Sequence, residues 1–179
     1  SRWVIDFGGR SQVEAATFAL PFQRVAERVK PERMRNNRKP RRDYWWQFAE
    51  RATGMRRVIA PLPEVLVIAL VSKTVMPLRV SAGQVFSHAL GVFATDDYGA
   101  QAVLSSSLHQ LWAITYGSTL ETRVRYTPSD VFETFPRPES TALLEQVGRS
   151  LDEERREIML RRELGLSNQQ ARRSLTALL

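Results

Sequence analysis

The chain has 179 residues, 26 Lys+Arg against 19 Asp+Glu, and a formal net charge of +7. That length builds one domain, or one domain with a helical appendage, around a real core. Cysteine is absent, which excludes disulfides and thiolate metal sites, and two histidines, His88 and His109, are too few for a histidine-built zinc site without carboxylate help. No apolar run approaches the roughly 20 residues that span a bilayer. The opening Ser1-Arg2-Trp3-Val4-Ile5-Asp6 lacks a signal-peptide layout. A cytoplasmic location is therefore expected, and so abrupt a start is expected to be a cut from a longer chain.

In chain order, Trp3-Val4-Ile5-Asp6-Phe7 is expected to be a short strand closed by Gly8-Gly9. Ser11 heads a capping box with Glu14, a spacing that satisfies two free amides at a helix start. Pro21 should kink or restart that helix, and beyond it Phe22, Val25 and Val29 keep one apolar face. Pro31 ends this segment or opens the next turn, and the charge excess follows. Residues 1–60 carry 14 Lys+Arg against 6 acids, residues 61–138 carry 5 against 6, and residues 139–179 carry 7 against 7. Six cations (Arg33, Arg35, Arg38, Lys39, Arg41 and Arg42) fall within residues 33–42, with no acid among them. Such a stretch repels itself and gains free energy beside a polyanion. Phosphate backbone is the commonest such partner, and its binding releases counterions. The plainer alternative is a solvated loop. A membrane surface fits less well, because no apolar face accompanies the charges.

Asp43 is expected to cap a short helix carrying Tyr44, Trp45, Trp46 and Phe48. Adjacent residues cannot share one helix face, so one tryptophan should enter the core and the other pack elsewhere. Residues 65–71, 75–80 and 85–95 read as strands of a mainly antiparallel sheet, with Pro77 on an edge. Asp96-Asp97 offers an N-cap to one long helix that Gly117 stops. Residues 119–126 return to strand or loop, and Thr127-Pro128-Ser129-Asp130 starts a short helical turn. Pro136 and Pro138 mark a boundary. Leu144, Val147, Leu151 and Ile158 then form a stripe, and Ser167 with Gln170 caps a last helix, giving a C-terminal helical hairpin. The fold class expected is α+β: a mainly antiparallel sheet packed by helices near residues 11–30 and 97–116. Residues 1–138 form the domain and residues 139–179 a helical segment.

Catalytic chemistry finds little to stand on. Asp6-Phe7-Gly8-Gly9 lacks the further glycines and the second strand of a cofactor loop. Ser105 and His109, at i and i+4, could touch along a helix, yet no orienting acid or sharp nucleophile turn accompanies them. No acid is followed two residues later by lysine, and no Asn-Pro-Pro-aromatic motif occurs. Neither a catalytic residue nor a cofactor is expected in this chain. The informative segment is residues 117–126. On one strand, Glu121, Arg123 and Arg125 would project to the same side. Arginine fits the two acceptors of guanine, and glutamate accepts from the amino group of cytosine. The competing reading is a surface salt-bridge ladder.

Taken in order, several segments resemble the target recognition domain of MmeI-like type II restriction-modification enzymes. They are Trp3-Val4-Ile5-Asp6-Phe7-Gly8, Val29-Lys30-Pro31-Glu32-Arg33, Trp45-Trp46, Ser72-Lys73 and Val92-Phe93-Ala94. Val103-Leu104-Ser105-Ser106, His109-Gln110-Leu111-Trp112, Arg125-Tyr126-Thr127 and Phe132-Glu133-Thr134-Phe135-Pro136-Arg137-Pro138 continue the series. The resemblance implies a module that reads a short site in double-stranded DNA. It implies attachment to the methyltransferase domain of a parent chain that uses S-adenosylmethionine on an adenine amino group, with magnesium where the parent also cleaves. It places base contacts at Glu121, Arg123 and Arg125. Backbone contacts would come from Arg33, Arg35, Arg38, Lys39, Arg41, Arg42, Lys73 and, in a second DNA-facing edge over residues 72–79, Arg79. The alternative class is a non-catalytic structural or protein-interaction module of a larger enzyme. A free-standing RNA-binding domain fits less well, because no paired aromatic strand motif is present.

Overall fold

A computed structural model describes residues 3–120 and 122–161. The chain divides into two compact units, Ser1–Arg57 and Val58–Leu179.

The first unit is helical. Residues 3–7 run as coil rather than the expected strand, and Trp3 is exposed. Gly8 takes φ +58°, the left-handed conformation glycine adopts without strain, and its amide donates to Asp6 Oδ1 at 2.8 Å. The capping box forms as the spacing requires: Ser11 caps α1 (Gln12–Ala16), and Glu14 reaches back to the Ser11 amide. The helix restarts as α2 (Ala19–Arg28) two residues before Pro21. Pro21 thus falls in a first turn, where a missing amide costs nothing. Then come α3 (Lys30–Met34), α4 (Lys39–Asp43) and α5 (Thr53–Ile59).

Asp43 ends α4 instead of capping a helix after it, and residues 44–46 form a turn. This is why both tryptophans are buried, against the expectation for a helix: Trp45 is 5% and Trp46 8% exposed. With Phe7, Ala15 and Val25 they make one core, and Trp46 Nε1 donates to the Arg10 carbonyl at 2.9 Å.

The second unit holds the strands: β1 (Glu64–Ala69), β2 (Val71–Ser72), β3 (Leu78–Ser81) and β4 (Leu90–Phe93). Then follow α6 (Tyr98–Ser105), α7 (Ser107–Tyr116), β5 (Ser118–Leu120), β6 (Arg123–Arg125), α8 (Pro128–Val131) and α9 (Ala142–Arg161). The expected sheet is two small antiparallel sheets, ordered β3-β1-β4 and β2-β6-β5. The chain changes sheet at Leu70, whose amide donates to Ala89 at 2.9 Å and whose carbonyl accepts from Tyr126 at 2.8 Å. Pro77 precedes the edge strand β3, where its lost amide breaks no ladder. Leu66, Ile68, Phe93, Leu104 and Val131 are buried together as the core.

The single helix expected over residues 97–116 is two. Ser106 is extended (φ −68°, ψ 155°) and its hydroxyl accepts from the His109 amide, ending α6 and capping α7 at once. On α9 the fully buried residues are Gly148, Asp152 and Arg155; of the expected stripe, Leu144, Leu151 and Ile158 are half-buried and Val147 is exposed. Gly148 lets α9 lie directly on α6: a Cβ there would stand 1.9 Å from the Tyr98 carbonyl oxygen. Gln101 Nε2 donates to Asp152 Oδ1 at 2.8 Å, and Arg155 Nη1 to Ser105 Oγ at 3.1 Å. The second helix of the expected hairpin, capped by Ser167, lies outside the described residues.

Candidate nucleic-acid interface

The arginine-rich stretch is not an open loop. It folds as α3 and α4, joined at Asn36-Asn37. Arg42 Nη1 donates to the carbonyls of Asn36 and Asn37 at 2.7 and 3.2 Å, closing the connection. Asn36 Oδ1 accepts from the Arg38 amide at 3.0 Å. The geometry gives the cations different availability. Arg35, Arg38 and Lys39 are exposed, and no ion pair forms on them among the described residues. Arg33, Arg41 and Arg42 are half-buried, and Arg41 approaches Glu50 at 3.9 Å. Lys30 lies over the Trp45 ring at 5.0 Å, extending the positive surface with a residue that the charge count alone did not single out.

In the second unit the candidate surface is the sheet β2-β6-β5. Residues 118–125 turn back on themselves, so the expected single strand is a tight hairpin, with Ser118 opposite Arg125 and Leu120 opposite Arg123. Glu121 lies outside the described residues. Arg123 and Arg125 share one face by alternation. Val124 and Tyr126 face the other way into the core, so the arginines point out of it. The register that pairs Val71 with Arg125 and Ser72 with Val124 brings exposed Lys73 level with Arg123. Lys73, which sequence spacing left apart from Arg123 and Arg125, therefore joins them on one sheet face.

Arg79 does something else. Its side chain is 1% exposed; Nε donates to Gln101 Oε1 at 3.1 Å, Nη1 to the Asp96 carbonyl at 2.8 Å, and the guanidinium lies over the Tyr98 ring at 3.8 Å. An arginine so enclosed cannot reach a phosphate, which corrects its expected role: it tethers β3 to α6.

The serine–histidine pair also separates. Ser105 accepts from Arg155, whereas His109 is fully buried, with Nδ1 2.7 Å from the Leu104 carbonyl and Nε2 3.1 Å from Tyr126 Oη. A carbonyl only accepts, so Nδ1 carries the proton, Nε2 accepts, and the Tyr126 hydroxyl donates. Burial holds the imidazole below its ordinary pKa of 6.5, opposed in part by the Leu104 contact, and pushes the Tyr126 phenol upward. A folded pKa below the unfolded one gives stability that is complete above pH 6.5 and lost as pH falls through the folded value. Chemical denaturation of the chain from pH 7.5 downward should show that loss, and His109→Gln should flatten it. An unchanged slope in the variant would remove His109 from the account.

A cavity of about 460 Å³ lies between β4, the start of α6 and the segment around Arg137. Of its polar groups, Asp97 accepts from the amides of Gly99 and Ala100, and Tyr126 bonds His109. No group of three or more His, Cys, Asp or Glu that could hold a metal occurs among the described residues. No helix among them is long and apolar enough to cross a membrane.

The α+β fold thus carries an arginine-bearing sheet face in its second unit and a cluster of helix-borne cations in its first. The chain belongs to the MmeI target recognition domain family, whose model matches residues 1–139. Among solved structures it is similar to the Type IIL restriction-modification enzyme MmeI in complex with DNA. That likeness has a TM-score of 0.57 at 19% identity, covering 91% of this chain and 21% of that one. The chain thus spans about a fifth of the MmeI chain it matches. A search of curated proteins returned no match.

Proposed function

We propose that this chain reads a short sequence in double-stranded DNA as the target recognition module of a restriction-modification enzyme. The observation that carries the reading is the outward face of β2-β6-β5, where Arg123, Arg125 and Lys73 meet. Base edges are distinguishable in the major groove, where a forked guanidinium matches the two acceptors of guanine. On this reading Glu121, Arg123 and Arg125 contact bases, and Lys73 contacts the backbone. Arg33, Arg35, Arg38, Lys39, Arg41 and Arg42 add phosphate contacts that set affinity and register without specifying sequence. The parent is proposed to be an adenine methyltransferase of the cytoplasm. S-adenosylmethionine, and magnesium if it cleaves, would be held by domains other than this one.

Docking onto that methyltransferase domain has its own support. Helix α7 carries no charged residue, yet Leu108 is 70% and Leu111 61% exposed.

Arg123→Ala tests the base-reading assignment. Competition between duplexes that differ at one base pair should show discrimination at that pair falling by about 1–3 kcal/mol, with other pairs unaffected. Uniform weakening on every duplex would instead make Arg123 a backbone contact.

A further inference from the structure

Base reading by arginine needs its strand held to about half an ångström, since a forked pair of hydrogen bonds tolerates little displacement. The β5–β6 hairpin is short, with three residues in each strand, and β5 is exposed throughout. The support comes from the core side. Tyr126 follows Arg125 directly and is 2% exposed. Its amide donates to Leu70 at 2.8 Å, its ring meets Phe93 edge-on at 6.2 Å, and its hydroxyl donates to His109 Nε2 at 3.1 Å. His109 is held in turn by the Leu104 carbonyl at the end of α6, 2.7 Å from Nδ1. The end of α7 also presses on the same strand: a Cβ on Gly117 would stand 3.0 Å from the Arg125 carbonyl oxygen.

We infer that the buried His109–Tyr126 pair is a positioning device for sequence reading, fixing where β6 presents Arg123 and Arg125 to the bases. Neither residue reaches the surface, so neither touches DNA; both act through the two arginines. The inference rests on the proposed DNA-reading role and adds residues to it that lie outside the contact surface. Removing the hydroxyl leaves the tyrosine ring in the core and orphans the acceptor on His109. The module then keeps its fold and its cations but loses the fixed end of β6.

The test uses the 179-residue chain carrying Tyr126→Phe, His109→Gln or, as a control, Val65→Ala. Val65 is fully buried in β1, so its truncation lowers stability without touching the pair. Each variant is titrated, below its melting temperature, with duplexes differing only at the base pair that Arg123→Ala relaxes. Tyr126→Phe should retain affinity for bulk duplex DNA within about twofold while discrimination falls by about fivefold or more, a large part of what one base contact supplies. His109→Gln, which retains an acceptor, should keep part of the discrimination, and Val65→Ala all of it. Full discrimination in Tyr126→Phe, or an equal loss in Val65→Ala, would overturn the inference. Absence of any discrimination in the unsubstituted chain would instead sink the DNA-reading role itself, and this inference with it.

Discussion

Replacing Arg35, Arg38 and Lys39 together by alanine is expected to weaken binding to every duplex alike and to flatten its salt dependence. All three are exposed on α3, α4 and the connection between them. Each phosphate contact contributes about 0.9 to the slope of log K against log salt, so losing three should remove roughly 2.7. At about 0.1 M salt the same term amounts to roughly 500-fold in affinity. Sequence preference should survive, because these side chains carry no base information. Titration at several salt concentrations separates the two effects. An unchanged slope would place the α3–α4 surface against another domain instead of DNA.

The second large effect is on stability. Gly148→Ala sets two effects against each other. Alanine is the better helix former by about 1 kcal/mol in a helix interior. Against that, the new methyl would stand 1.9 Å from the Tyr98 carbonyl oxygen and 2.6 Å from its carbon. Those are backbone atoms of α6, which no side-chain rotation relieves, so α9 must lift. Lifting it opens the Gln101–Asp152 and Arg155–Ser105 bonds and leaves charged groups partly desolvated without partners. Overpacking costs about 1–3 kcal/mol, occasionally more, and the lost partners add about 1–3 kcal/mol for each buried polar group. The steric term wins, with net destabilisation of about 2–4 kcal/mol. For a unit of this size that corresponds to a melting temperature roughly 6–20 °C lower, readable by thermal denaturation of the second unit's signal. A rise in melting temperature would show that α9 does not lie on α6 as described.

Much of this architecture is legible in the sequence because short-range rules decide it. The Ser11–Glu14 box, the Asp97 cap, the proline-initiated α8 and the apolar run of β1 depend on a few adjacent residues. Where long-range packing decides, the chain is opaque. Ser106 could continue a helix or cap one, and only the burial of His109 beneath Tyr126 selects the break. No glycine or asparagine stands between β5 and β6 in the sequence, so nothing local announces that the two strands pair. Arg79 has the composition of a DNA contact and the surroundings of a core residue; its partners Gln101 and Asp96 come from beyond β4. The tryptophan pair misleads in the opposite sense, because the helix assumed there is a turn. At the interface, alternation gave Arg123 and Arg125 a common face, whereas Lys73 joins them only through the β2–β6 register.

Sequence discrimination on duplex DNA is what the proposed role of this chain requires. Selection from a randomised duplex pool, with the bound fraction sequenced at a salt concentration where non-specific binding is weak, tests it most directly. The account predicts one short motif enriched over successive rounds, with a base pair in it that becomes degenerate when Arg123 is alanine. A bound pool as random as the input, recovered from chain that is folded throughout, would contradict it.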